Sequence, residues 1–288
     1  MTAKRGQESP GRYETVLVTG ASSGIGRATA LYLAARGYSV IGTSRSMARL
    51  AELQTEASKS SLSFTAVELD INSDEDVDKV LPRLMEEFGA IDVLVNNAGY
   101  GLWGPVEALT VAEVKDQFET NFFAAVRLIN AVLPTMLSRR RGTIINISSV
   151  EGRLATPFCG AYAASKFALE GLSEAMRVEL WPFGVRVAVV EPGLFRTDFQ
   201  TNSVIAKGAE SKDLACFPYM ERYKTRRARF NWLAADPNKV AKVIHRIVRS
   251  RRPGFRYPIG PEARLGIAGA RLLPERIFQA MLSRVTMR

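Results

Sequence analysis

The 288 residues contain one histidine, His245, and two cysteines, Cys159 and Cys216. One imidazole leaves almost nothing from which to build a zinc site. A Ser-His-Asp triad would have to recruit a histidine set in the helical pattern Lys-Val-Ile-His-Arg-Ile, where it reads as an ordinary helix residue. Two distant cysteines without ligand spacing argue against a disulfide framework and fit a reducing, cytoplasmic setting. Residues 1–12 lack the apolar core of a secretory signal and read as a flexible arm. No uninterrupted apolar run reaches the roughly 18 residues of a membrane-spanning helix. Repeats, low-complexity tracts and linkers are lacking too, so residues 13–288 are expected to form one domain, with the 47% hydrophobic content to build its core.

Acidic residues are scarce in one region only. Residues 221–288 hold 17 Lys+Arg and 4 Asp+Glu, which leaves 22 against 25 in the rest of a chain of net charge +10. The basic excess therefore belongs to the C-terminal quarter.

Short apolar runs alternate with helical patterns. Strands are expected at 15–19, 38–44, 64–69, 91–96, 143–148 and 185–191, and helices at 24–36, 47–58, 74–88, 111–139 and 161–180. Buried strands alternating with helices imply an α/β fold, a parallel sheet covered on both faces. Right-handed crossovers make it doubly wound. Beyond Gly193 the rhythm changes. Residues 194–235 read as an irregular, aromatic-rich lid with Phe195, Phe199, Phe217, Tyr219, Tyr223, Phe230 and Trp232. Asp236-Pro237 then reads as an N-cap with Pro at the first helical position. Residues 255–259 read as a last strand, and about 262–288 as basic amphipathic helices.

The first strand runs into Thr19-Gly20-Ala21-Ser22-Ser23-Gly24-Ile25-Gly26. Glycines at a strand-to-helix turn let a pyrophosphate approach the backbone, and the helix N-terminus offers free N–H groups. Gly20, Ser22, Ser23, Gly24, Ile25 and Gly26 are therefore the candidate phosphate cradle. A carboxylate that would hold the adenosine ribose diol of NAD is missing from the end of the second strand, Gly42-Thr43-Ser44-Arg45-Ser46. Arg45 stands there instead, with a planar fork suited to a 2′-phosphate, which points to NADP (NADPH). Ser22, Ser44 and Ser46 are placed to add bonds. Asp70 closes the third strand, facing the adenine position, and Asn97, Ala98 and Gly99 follow the fourth, leaving room for a ligand.

Tyr162-Ala-Ala-Ser-Lys166 opens a helix, so the phenol and the ammonium share one face. A neighbouring positive charge lowers a phenol's pKa towards working pH, which suits it to exchange a proton with an alcohol or carbonyl. Ser149, at the end of the fifth strand, is placed to hold the substrate oxygen, with Ser148 as its rival. Asn121 is a polar residue in an apolar helical run and is placed to order a water beside Lys166.

In order and spacing, Thr19-Gly20-x-x-x-Gly24-x-Gly26, Asn96-Asn97-Ala98-Gly99, Asn121, Ser149, Tyr162-x-x-x-Lys166 and Pro192-Gly193-x-x-x-Thr197 resemble the short-chain dehydrogenase/reductase family over about residues 13–260. The resemblance implies a Rossmann-type sheet of about seven strands, a homodimer or homotetramer, and a catalytic tetrad of Asn121, Ser149, Tyr162 and Lys166. It also implies that Lys166 binds the nicotinamide ribose and that Pro192, Gly193 and Thr197, with Leu194 nearby, border the carboxamide. Within the family, the stretch 191–197 and the tail resemble 17β-hydroxysteroid and retinol dehydrogenase-like members. The expected substrate is thus a bulky apolar alcohol or carbonyl, steroid-, retinoid- or lipid-like, with Trp103 and Cys159 beside it. The alternatives are a small-molecule or polyketide-type ketoreductase and, in another class, a non-catalytic NADP-binding sensor, whose mark would be a broken tetrad. Scattered tail arginines read as a solvated face rather than a nucleic-acid surface, and leave open a weak peripheral membrane contact.

Overall fold

The computed structural model describes residues 15–229 and 234–287. The expected N-terminal arm, together with Phe230, Trp232 and Arg288, lies outside the described residues.

Strands rich in β-branched residues form the centre: β1 (Thr15–Thr19), β2 (Ser39–Ser44), β3 (Phe64–Glu68), β4 (Val93–Asn96), β6 (Gly142–Ile147), β7 (Val185–Pro192) and β9 (Arg256–Ile259). They form a seven-stranded parallel sheet in the order β3-β2-β1-β4-β6-β7-β9. The period-two alternation of side chains sorts the apolar residues into two cores. Val16 and Val18 face one side with Leu33 of α1 (Gly24–Ala34), Leu50 of α2 (Met47–Lys59) and Ile244 of α8 (Asn238–Arg249). Leu17 faces the other with Leu81 of α3 (Asp74–Phe88), Leu128 of α5 (Ala124–Ser138) and Met176 of α6 (Gly160–Glu179). The strand order reverses between β1 and β4, which opens a crevice at their C-terminal ends.

Local chemistry sets the helix limits. The Ser73 hydroxyl accepts from the Asp76 amide at 3.1 Å ahead of three acidic residues in the first turn of α3. Thr110 and Glu113 form a reciprocal capping box at α4 (Val111–Phe118). The helix expected over 111–139 is broken by a π-helical turn at Glu119–Phe123. Val111–Ser138 is long and apolar enough to cross a membrane by length and composition alone, although Arg127 interrupts its apolar run. Its buried residues Ala124, Leu128, Ile129 and Val132 are packed into the second core of the protein itself.

Two further departures concern the C-terminal third. The segment read as irregular contains α7 (Phe217–Arg229) and a two-residue strand β8 (Val204–Ile205), which pairs in parallel with β5 (Leu102–Trp103). Its helical period is masked by the polar Glu221–Arg229 stretch. Pro237 is at the cap position rather than inside α8, and the Asp236 carboxylate accepts from the Asn238 amide at 2.8 Å. Two helices, α9 (Pro261–Leu272) and α10 (Glu275–Met287), end the chain.

Candidate active site

The turn between β1 and α1 needs its glycines for stated reasons. Gly20 (φ +62°) and Gly24 (φ +54°) lie in the left-handed region. A Cβ on Gly26 would overlap the Gly20 carbonyl and come within 2.5 Å of Asn97 Nδ2. One on Gly24 would come 3.1 Å from Thr197, so the loop after β7 closes over the glycine turn. The Thr19 hydroxyl accepts from the amides of Asn97 and Ala98, both at 3.0 Å, and Asn97 Nδ2 donates to the Thr19 carbonyl at 2.8 Å. The Asn97 side chain is thus committed to shaping the loop. Ser23 caps α1 without a side-chain bond, and the first turn carries no acid, an arrangement receptive to an anion.

Arg45, just past β2, is exposed and forms no ion pair among the described residues. It lines a cleft with Asp70, Lys79 and Arg83. Asp70 accepts from the Asn72 amide at 3.0 Å in its own turn, and the Ser44 hydroxyl accepts from the Ser46 amide at 3.3 Å.

At the crevice, Lys166 is 4% exposed and Tyr162 6%. The ammonium lies 5.8 Å from the phenol ring centre and donates to the Ile147 carbonyl at 2.8 Å. Burial lowers the Lys166 pKa to about 8, against a smaller upward pull from Glu170 one turn along. The π turn brings Asn121 inward. Its Oδ1 accepts from the Tyr100 amide at 3.1 Å, and its Nδ2 donates to the Tyr100 carbonyl at 3.0 Å and to Ser165 Oγ at 3.1 Å. A Cβ on Gly99 would lie 2.9 Å from Asn121 Oδ1 and 3.6 Å from Lys166 Nζ, so these three residues meet. Asn96 Oδ1 is buried without a partner and borders a small internal cavity that Asn121 and Lys166 also line. With a volume of about 10 Å³ the cavity is just large enough for one water, which the unpartnered Asn96 oxygen could hold. Ser149 starts a short turn in which its hydroxyl accepts from the Glu151 amide at 3.1 Å. The hydroxyl of its rival Ser148 is buried against Gly152 at the end of that turn and has no hydrogen-bond partner among the described residues.

A charged cluster lies behind the site. Arg153, just after the Ser149 turn, pairs with buried Glu191 of β7 at 2.9 Å. Arg256 of β9 pairs with buried Glu170 at 2.9 Å and with Glu174 at 2.8 Å. Arg256 also lies 3.7 Å from Glu191. Burial and the neighbouring Glu170 push the Glu191 carboxyl upward against the pull of the arginines. Arg153, Glu174 and Arg256 did not stand out in the sequence, and Glu191 did so only as the first residue of the stretch 191–197. Glu170 carried a signal in its four-residue spacing from Lys166.

Beside Tyr162 the wall is aromatic. Phe199 lies 5.5 Å from it between ring centres, and Tyr223 of α7 meets Trp103 at 6.5 Å and Phe158 at 5.4 Å. Trp103 joins this aromatic wall through Tyr223. Cys159 is not, because it is fully buried and its sulfur is engaged with Thr156. Gly193 follows Pro192 with its amide bonded to the Ile259 carbonyl at 2.9 Å, and Glu262 of α9 accepts from the Leu194 amide at 2.7 Å.

A glycine turn at the reversal point of a doubly wound parallel sheet, opening on a buried Tyr–Lys pair, defines a dinucleotide-dependent oxidoreductase. The chain belongs to the short-chain dehydrogenase family, whose pattern it matches over residues 14–207. It is 36% identical over 271 residues to a 3-ketodihydrosphingosine reductase of Bacteroides thetaiotaomicron, covering 93% of this chain and 96% of that one. It is 40% identical over 252 residues to retinol dehydrogenase 8 of Bos taurus, covering 84% and 80%. Among solved structures, a short-chain dehydrogenase from Streptomyces avermitilis superposes with a TM-score of 0.80 at 36% identity, covering 94% and 96%. A metagenomic short-chain oxidoreductase in complex with NADP gives 0.68 at 28% identity, covering 86% and 96%.

Gly26→Ala tests the cradle. Its methyl meets a backbone carbonyl that no rotamer can clear, so a loss of about 1–3 kcal/mol in stability is expected. Dinucleotide affinity, followed by cofactor fluorescence, should fall with it. Unchanged affinity would show that the turn does not cradle a cofactor.

Proposed function

We propose that the protein is an NADP(H)-preferring alcohol dehydrogenase/carbonyl reductase for bulky apolar substrates, with Tyr162 as acid and base. The observation that carries this reading is the buried ammonium of Lys166 one turn from the Tyr162 phenol. The ammonium favours the phenolate and so brings the phenol's proton within reach of neutral pH. Ser149 orients the substrate oxygen, and Asn121 holds the water-sized cavity beside Lys166 open as a proton path. The cofactor would rest on Gly20, Ser22, Ser23, Gly24, Ile25 and Gly26, with Arg45 at its 2′-phosphate, Asp70 at its adenine, Ala98 and Gly99 beneath it, and Lys166, Pro192, Gly193 and Thr197 around its nicotinamide end. When bound, it supplies or accepts the hydride.

Phe199, Trp103, Tyr223 and Phe158 support the apolar substrate, with residues 194–235 closing over the site as a lid. The lipid-like names of two relatives agree with it. Exposed Val111, Phe123 and Phe167 on α4 to α6 support a homodimer or homotetramer, and a cytoplasmic enzyme fits two cysteines that form no disulfide. A panel of carbonyls, read as NADPH consumption, tests the proposal. Each added buried methylene is worth up to about 0.8 kcal/mol, so kcat/KM should climb by up to roughly four-fold per CH₂. Sugars or other small polar carbonyls outperforming every bulky one would overturn the substrate class.

A further inference from the structure

The outer faces of the last two helices carry large apolar side chains in solvent. On α9, Leu265 and Leu272 lie two turns apart on one face and are 73% and 79% exposed. Ile277 of α10 is 56% exposed, and Leu273 and Met281 are exposed beside it. The inner faces are occupied: Ala263 is fully buried, Gly266 meets Leu154, and Gly269 meets Phe278 of α10. Arg264 and Arg271 repeat the seven-residue spacing of the two leucines, and Arg276 and Arg284 flank Ile277 and Met281. All four arginines are exposed, and none forms an ion pair among the described residues.

A stripe of leucines bordered by guanidinium groups without carboxylate partners matches the layering of a lipid headgroup region. Apolar side chains leave water, while guanidinium forks reach phosphates at the same depth. A second copy of the chain fits less well. Across a two-fold contact the same arginines would face one another. The acids of the two helices would not offset them, since Glu262 is engaged by the Leu194 amide and Glu275 by Gln279. The face is also joined to the substrate wall. Helix α10 packs on α7, and Met287 packs on the cluster of Leu102, Phe158, Ala161 and Met220, which adjoins Tyr162.

We propose that the α9–α10 face docks on an anionic lipid surface and sets the mouth of the Tyr162 site against the bilayer. The docking itself needs only the face; its use, collecting an apolar substrate from the membrane, rests on the substrate class proposed above.

The test is co-sedimentation of the full chain with vesicles of phosphatidylcholine alone and of phosphatidylcholine with about one third phosphatidylserine. The chain should pellet with the anionic vesicles and be released by salt. Arg264→Glu/Arg271→Glu/Arg276→Glu should weaken partitioning by roughly a hundred-fold or more, since each basic residue contributes several-fold near such a surface. Leu272→Asp/Ile277→Asp should weaken it to both vesicle types. These side chains are exposed, so thermal melting should be unchanged and loss of binding is not loss of fold. No binding by the wild-type chain, or binding untouched by both variants, would overturn the proposal. So would a smaller oligomer of the Leu272→Asp/Ile277→Asp variant that still binds vesicles fully, because that face would then join copies of the chain. Sedimentation needs no turnover, so failure of the substrate reading in the carbonyl panel is read separately.

Discussion

Tyr162→Phe is expected to lower kcat by roughly a hundred- to ten-thousand-fold, the range that a positioned acid or base contributes. The substitution removes one oxygen and keeps the ring, so the contact with Phe199 and the burial of the helix face survive. Dinucleotide affinity should therefore stay near the wild-type value. Lys166→Met is the paired control. It removes the bond to the Ile147 carbonyl and, on the proposed reading, both the charge that tunes the phenol and a cofactor contact, so kcat and cofactor affinity should fall together. Single-turnover hydride transfer and fluorescence titration of the cofactor separate the two effects. A Tyr162→Phe enzyme turning over at near-normal rate would rule out the phenol as the acid and base.

Arg45→Asp should reverse cofactor choice. A hydrogen bond to a charged group is worth about 1.5–3 kcal/mol, and the replacement puts a like charge against the 2′-phosphate. The ratio of kcat/KM for NADPH over NADH should fall by roughly a hundred-fold or more, with most of the loss on NADPH. Arg45 is exposed and forms no ion pair among the described residues, so stability should hardly change. A wild-type preference for NADH, or a ratio that does not respond to the substitution, would remove Arg45 from the site.

The strands and their limits were largely legible because each is short, apolar and bounded by turn residues, whereas their order in the sheet came from the structure. Thr15–Thr19, Asp74–Phe88 and the helix carrying Tyr162 and Lys166 lie within a residue of their expected ends. The approach of Lys166 to Asn121 was legible as well, but its means was not. The π turn at Glu119–Phe123 costs one extra residue in a run that looks like continuous helix, and nothing in the periodicity marks it. Helix α7 was hidden for another reason. Its polar stretch supplies too few apolar repeats, and among the described side chains Met220 and Tyr223 anchor it to the neighbouring cluster. Cys159 shows the limit of sequence distance, since three residues before Tyr162 on a helix start can point into the core.

The Arg256 pairings bear on how this chain can be recombined with its relatives. Segments after β7 look exchangeable by sequence, and a designer seeking a new substrate would graft them as a block with a breakpoint after Pro192. Arg256 enters with that block, while its partners Glu170, Glu174 and Glu191 stay with the host. A donor lacking an arginine at that register would leave buried Glu170 without its guanidinium partner and Glu191 with Arg153 alone. Stranding a buried charge in this way costs about 3–5 kcal/mol, a large share of the stability of a typical domain. Chimeras of this protein are therefore constrained at the last strand of the sheet, far along the chain from the residues a designer would set out to change.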